Sequence, residues 1–373
     1  MTLRSPQRQT SAWPLALALT CVVAYASLYP FTGWRDQGMS PWAFLGAPWP
    51  RYWTFFDLLV NLAGYSVLGF LLALSVLRGT DWRWPIALAS LAAALLSLAM
   101  ETLQAYLPAR VPSNLDFVLN ATGGCLGALL AALLERLGVL QRWSDFRARW
   151  FLDRTSGARV LLALWPLALL FPSSVPLGLG QVVQRLEDAL GKWLAQTPFL
   201  EWIPVRDVEL QPLLPGAEML CVSLGLLVPV LLAYSIVRQI WQRTIALLFL
   251  LLAGVLVTAL SSALSFGPEH AWAWLDGSSR WGLVLGALVA VALLIVPGRG
   301  VLALSLLALG VHLTLLNQAA VDPYFEQTRQ VWEQGRFVRF NGLTQWLGWL
   351  WPFAALGYVL TRISGGPGRS AGR

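Results

Sequence analysis

Between Arg243 and Glu269 the chain carries no charged residue, and the centre of that stretch reads Leu247-Leu248-Phe249-Leu250-Leu251-Leu252. An apolar run of about 20 residues is what a helix needs to cross the hydrocarbon core of a bilayer, where every backbone N–H and C=O must be satisfied within the segment. Runs of this kind recur at 13–30, 55–77, 84–106, 115–135, 159–178, 217–237, 244–265, 279–297, 300–318 and 343–362. Of the 373 residues 57% are hydrophobic and 12% charged, against about 25% charged in a soluble domain. The pattern predicts an all-α fold: a polytopic transmembrane helical bundle of about ten helices.

Loops left in the cytoplasm are enriched in Lys and Arg, and that asymmetry orients the bundle. The loops after the second and sixth runs carry Arg78, Arg83, Arg238 and Arg243, the tail carries Arg362, Arg369 and Arg373, and the segment after the fourth run carries Arg136, Arg142, Arg147, Arg149, Arg154 and Arg159. Between the fifth and sixth runs, Glu187, Asp188, Glu201, Asp207 and Glu209 outnumber Arg185, Lys192 and Arg206. Both termini are therefore expected in the cytoplasm. The net charge of +7 reads as this orientation signal rather than as a nucleic-acid footprint, so no nucleic-acid partner is expected. Arg4 and Arg8 before the first run, and Ala24-Tyr25-Ala26 at its end, also fit a cleavable signal peptide; Pro14 and Tyr29-Pro30-Phe31 favour a retained helix.

The expected organisation is a four-helix membrane domain over 1–140, a basic cytoplasmic linker over 141–158, a second four-helix unit over 159–297, two further helices over 298–363 and a disordered tail over 364–373. Between Gly180 and Trp202, Val183, Leu186, Leu190, Trp193 and Leu194 recur at helical spacing and predict an amphipathic helix on the outer interface. A faint repeat appears at an offset of about 160 residues: Asp57 and Gly64 meet Glu218 and Gly225, and Gly123-x3-Gly127 meets Gly282-x3-Gly286. Cys21, Cys125 and Cys221 lie in separate apolar runs without a CxxC or a nearby His, so no disulfide frame, metal site or cofactor is expected.

Against this apolar background one stretch stands out. Asp57 and Asn61 share a face at the start of the second run, Glu101 and Gln104 share one at the end of the third, and Asp116, Asn120, Gly123 and Gly127 form a stripe on the fourth. Arg110 lies in the short connection between the last two. In the expected topology all of these reach the same depth, near the outer surface. Charged groups in membrane helices cost roughly 2.5–3.5 kcal/mol each at the helix centre, so they pair or line a polar cavity. Two readings are open: hydrogen-bonded glue between helices, with Asp57 and Asp116 serving helix N-termini, or a site for a polar ligand. The Gly123-x3-Gly127 pair reads as close helix packing.

At these residues the chain resembles the VanZ-like family of polytopic membrane proteins associated with teicoplanin resistance. Its E-x2-Q, R, D, N and two-glycine pattern is met by Glu101, Gln104, Arg110, Asp116, Asn120, Gly123 and Gly127; its D-x3-N by Asp57 and Asn61; and the end of its first helix by Tyr25, Ser27, Pro30 and Phe31. The resemblance covers about 13 to 137. Two departures are Val67-Leu68-Gly69-Phe70 where a Pro-Leu-Gly-Phe is common, and Ser113 where many relatives carry an acid. The resemblance implies a bacterial cytoplasmic membrane and a role in reduced sensitivity to lipophilic glycopeptides.

Three functions compete. The first is binding of the headgroup of a membrane lipid or a lipid-linked envelope component, with Arg110 on its phosphate or carboxylate, Gln104, Asn61 and Asn120 as neutral partners, and Glu101 and Asp116 orienting Arg110. The second is a membrane-embedded enzyme using Glu101 with Asp116 or Asp57 as acid and base, although His270 and His312 lie in the other half of the chain. The third is a transporter of an envelope lipid or small solute, which a tandem repeat would suit. His312 with Asn317 reads as a helix contact rather than a relay. Protein partners are unknown from the sequence.

Overall fold

The computed structural model describes residues 12–29, 31–53, 55–77, 82–152, 155–195, 197–199, 211–320 and 338–364. The charges assigned above to Arg4, Arg8, Arg78, Arg154, Glu201, Arg206, Asp207, Glu209, Arg369 and Arg373, and the tail beyond Ser364, lie outside these residues.

Among the described residues the chain is all-α, with twelve helices: α1 (Ala12–Leu28), α2 (Phe55–Val76), α3 (Arg83–Gln104), α4 (Asn114–Arg136), α5 (Val139–Trp150), α6 (Ser156–Ala168), α7 (Val183–Leu194), α8 (Pro215–Tyr234), α9 (Ile240–Phe266), α10 (Gly277–Ala292), α11 (Gly298–Leu316) and α12 (Val338–Ser364). Seven segments, within α2, α3, α4, α8, α9, α11 and α10 with its short continuation to Ile295, are long and apolar enough to cross a membrane; α1 and α6 are apolar but shorter. The ends follow local chemistry. Ser113 caps α4 through its Oγ, which accepts the Asp116 N–H, and Asp276 caps α10 by accepting the Ser279 N–H at 2.7 Å. Gly138 (φ 69°) and Gly267 (φ 99°) follow α4 and α9 in the left-handed region that glycine adopts freely.

The chain divides into two compact units, 1–149 and 150–373. In the first, α2 and α4 cross so closely that no side chain fits between them. A Cβ at Gly127 would lie 1.8 Å from the Ser66 carbonyl oxygen, and one at Gly123 2.4 Å from that of Leu62; one at Gly69 would meet Gly124, and one at Gly124 would meet Ala93 of α3. Alanines fill the layer beside this crossing, with Ala73, Ala89, Ala128 and Ala131 buried together. Small residues are the means by which membrane helices approach, because dispersion and Cα–H···O contacts replace the hydrophobic effect there.

The second unit is built around α8, which is buried on every side from Cys221 to Tyr234 apart from the half-buried Leu224. A helix apolar all round belongs in an interior. Its crossing with α10 has the register of the α2–α4 crossing: a Cβ at Gly282 would meet the Met219 carbonyl oxygen at 2.7 Å, and one at Gly286 that of Ser223 at 2.9 Å. In both units, carbonyls four residues apart on one helix face glycines four residues apart on the other.

The expected span over 159–178 is corrected. Helix α6 stops at Ala168, and Leu169–Val182 is not helical. Pro172 and Pro176 keep the helix from resuming, since each lacks an N–H and disfavours helix in the residue before it, whereas Pro166 is accommodated inside α6. The segment is nevertheless largely buried, with Phe171, Val175, Leu177 and Leu179 in the interior, so its backbone needs partners. Ser261 Oγ donates to the Leu170 carbonyl, the Gly180 N–H donates to the Gly348 carbonyl, and Asn317 Nδ2 donates to the Gly180 carbonyl. Asn317 Oδ1 accepts the Val182 and Val183 N–H groups, each at 3.0 Å, at the start of α7. The buried His312 stands against α8, its Nδ1 3.1 Å from the Cys221 carbonyl oxygen.

Candidate functional site

The polar residues of the first unit gather where α1 and α3 end and α2 and α4 begin. Six hydrogen bonds tie these ends together. Asn61 Nδ2 on α2 donates to Asp116 Oδ1 on α4 at 2.7 Å. The Ser113 N–H, just before α4, donates to Glu101 Oε2 on α3 at 2.8 Å. Asn120 Nδ2 on α4 donates to Ser97 Oγ on α3 at 3.0 Å. Gln104 Nε2 donates to the Ser27 carbonyl at 3.0 Å, and the Arg110 guanidinium donates from Nε to the Tyr29 carbonyl at 2.8 Å and from Nη2 to the Ala26 carbonyl at 3.0 Å.

These partners divide the expected cluster into two sets. Gln104 and Arg110 turn to α1 and satisfy the carbonyls that its last turn leaves without intrahelical donors; a guanidinium there also suits the negative end of the helix dipole. Asn61, Asp116, Glu101 and Asn120 brace α2, α3 and α4 against one another. Asp57 stands in the first turn of α2, one turn before Asn61, and is half-buried. The chain after α1 is tied to the same end, since Gln37 Nε2 donates to the Ala105 carbonyl at 2.8 Å and the Arg35 N–H to that of Tyr106 at 3.0 Å.

Inside this frame lies a buried group of polar side chains. Glu101 is 3% exposed, Asn120 5% and Ser97 0%. The Tyr65 hydroxyl lies beside Ser97, within electrostatic reach of Glu101, and forms no hydrogen bond of normal geometry. Asn120 Oδ1 is likewise buried without a partner. Turning the amide over does not remove the deficit, because Ser97 then meets the oxygen and the amino group is left over. A buried polar group in that state costs about 1–3 kcal/mol. Ser97 and Tyr65 are members of this group that the sequence patterns above did not single out. Both follow helical spacing: Ser97 is four residues before Glu101, and Tyr65 four after Asn61. Among the described residues no set of three His, Cys, Asp or Glu side chains is placed to hold a metal ion.

Among the described residues, seven membrane-length apolar helices in an all-α fold, with a polar interhelical cluster at one end of the first unit, define a multi-pass membrane protein of the small-residue-packed type. Within it, residues 4–135 match the VanZ/LLP1 family model, and so the match takes in α1 to α4, all the helices that carry the cluster. No curated protein and no solved structure matches the chain.

Proposed function

We propose that the first unit binds the polar headgroup of an amphiphile, either a membrane lipid or a lipid-linked envelope component, at the end where α1 and α3 finish and α2 and α4 start. In the orientation indicated by the arginines, with both termini in the cytoplasm of a bacterial cell, that end faces the outer leaflet. The observation that carries this reading is the buried Asn120 amide with an atom left over, next to the Tyr65 hydroxyl and the buried Glu101 carboxylate. A hydroxyl, amide or ammonium of a headgroup supplies the hydrogen bond that the Asn120 amide and the Tyr65 hydroxyl lack. Arg110 and Gln104 hold α1 in place, so they position the buried group rather than belong to it, and Asp116 with Asn61 sets the spacing of α2 and α4. Sequestering or reorganising an outer-leaflet component is how such a site would alter sensitivity to a lipophilic glycopeptide such as teicoplanin.

Asn120→Leu tests the reading, with Glu101→Gln beside it. If the amide is structural only, replacing it by an apolar group of similar size leaves lipid retention unchanged. If it is a contact, native mass spectrometry of the purified protein shows less retained lipid, and cells with equal protein levels change in teicoplanin sensitivity. Unchanged lipid retention and unchanged sensitivity in both variants would overturn it.

A second reading, transport, is favoured by one observation in the other unit, the buried non-helical segment Leu169–Val182. Irregular backbone at membrane depth is tolerated where it is enclosed by protein, and interrupted helices form the substrate sites of many transporters. Proteoliposome flux of a fluorescent lipid that is lost in Asn317→Leu, with headgroup retention in the first unit intact, would support it; absence of flux in the wild-type protein would exclude that cargo.

A further inference from the structure

Helix α5 begins at Val139, three residues after Arg136 closes the spanning helix α4, and Gly138 in the left-handed region (φ 69°) makes the turn between them. Three residues reach about 10 Å at most, so α5 starts within the headgroup layer at that end of α4. None of its residues is buried.

Its surface is divided by charge. Val139, Trp143 and Phe146 follow spacings of four and three and form one stripe. The Trp143 and Phe146 rings stack with centroids 5.5 Å apart, yet the two residues are 54% and 37% exposed. At about 100° per residue, Arg142 and Arg149 flank the stripe on one side and Arg147 on the other. Asp145 lies next beyond Arg149 on that first side, about 130° from the middle of the stripe; its carbonyl accepts a hydrogen bond from Arg149 Nε at 3.4 Å and its Oδ1 one from Gln141 at 3.0 Å. An exposed aromatic stripe bordered by arginines, with the one acid outside that border, is the charge pattern of a helix lying in an anionic interface.

We propose that α5 is a membrane-surface helix that seats Val139, Trp143 and Phe146 at the acyl boundary and binds anionic phospholipid headgroups through Arg142 and Arg149. This does not depend on the headgroup site in the first unit, which lies at the opposite ends of α3 and α4. The full chain, with Cys21, Cys125 and Cys221 replaced by Ser, is placed in nanodiscs of phosphatidylcholine alone and of phosphatidylcholine with phosphatidylglycerol. Spin labels at Trp143→Cys and Asp145→Cys then report accessibility to oxygen and to a water-soluble nickel chelate. The expected result is oxygen access at 143 and nickel access at 145. Native mass spectrometry reads the ratio of retained phosphatidylglycerol to phosphatidylcholine, which falls in Arg142→Gln/Arg149→Gln by roughly five-fold per arginine and recovers in Arg142→Lys/Arg149→Lys. Nickel access at both labels, protection of the 143 label from both reagents, or an unchanged lipid ratio would each overturn the proposal.

Discussion

Replacing Gly127 by alanine adds a single methyl group at the tightest point of the first unit. Its Cβ would stand 1.8 Å from the Ser66 carbonyl oxygen, 2.7 Å from the Ser66 carbonyl carbon and 2.8 Å from the Phe70 nitrogen. All three are backbone atoms of α2, so no side-chain rotation relieves the clash. Restoring ordinary contact at 3.4 Å requires α2 and α4 to separate by about 1.6 Å, and a gap of 0.5–1 Å already forfeits a quarter to a half of the dispersion well. Overpacking of this kind costs about 1–3 kcal/mol, which in a unit of about 150 residues lowers its Tm by roughly 2–4 °C per kcal/mol. The assay is thermal unfolding of purified protein in detergent. Gly64→Ala is the control, since Gly64 lies on α2 as well but a Cβ there meets nothing within 4 Å; that change should be neutral, or stabilise by about 0.5–1 kcal/mol through helix propensity. Gly127→Ala melting with the wild type, or Gly64→Ala falling as far, would refute the helix-contact account.

Arg110→Gln should free the end of α1 by losing two charge-assisted hydrogen bonds to the Tyr29 and Ala26 carbonyls, at about 1.5–3 kcal/mol each; faster hydrogen exchange confined to the last turn of α1 would report it. Asn317→Leu in the second unit leaves the Val182 and Val183 N–H groups and the Gly180 carbonyl without the side chain that serves them, and the thermal transition should fall by more than in Gly127→Ala. Trp351→Phe removes the indole donor to the Leu161 carbonyl at 2.7 Å while keeping an aromatic ring in the core, so a smaller loss, about 1 kcal/mol, is expected in the same melt.

Apolar length alone made most of the spans legible: α3 and α4 begin and end within two residues of the runs read at 84–106 and 115–135. The break after α6 was written in the same letters, yet the hydropathy of Phe171, Val175, Leu177 and Leu179 hid it, because a buried irregular segment is as apolar as a helix. Prolines at 172 and 176 were the better signal. In the polar cluster, residue types and faces were readable, but two kinds of partner were not. Arg110 and Gln104 are bonded to main-chain carbonyls, and nothing in a side-chain pattern marks which carbonyls a helix end exposes. Ser113, noted only as the absence of an acid, both caps α4 through its hydroxyl and presents its N–H to Glu101.

The central claim is that the buried group formed by Tyr65, Ser97, Glu101 and Asn120 faces a headgroup. A cryo-electron microscopy map of the protein in nanodiscs of native bacterial lipid tests it directly. The account predicts polar density within hydrogen-bond distance of the Asn120 amide, entering between the end of α3 and the start of α4 and weakened in Asn120→Leu. A closed interface in which the Tyr65 hydroxyl and the Asn120 amide bond only to protein, with lipid density absent from that end, would contradict it.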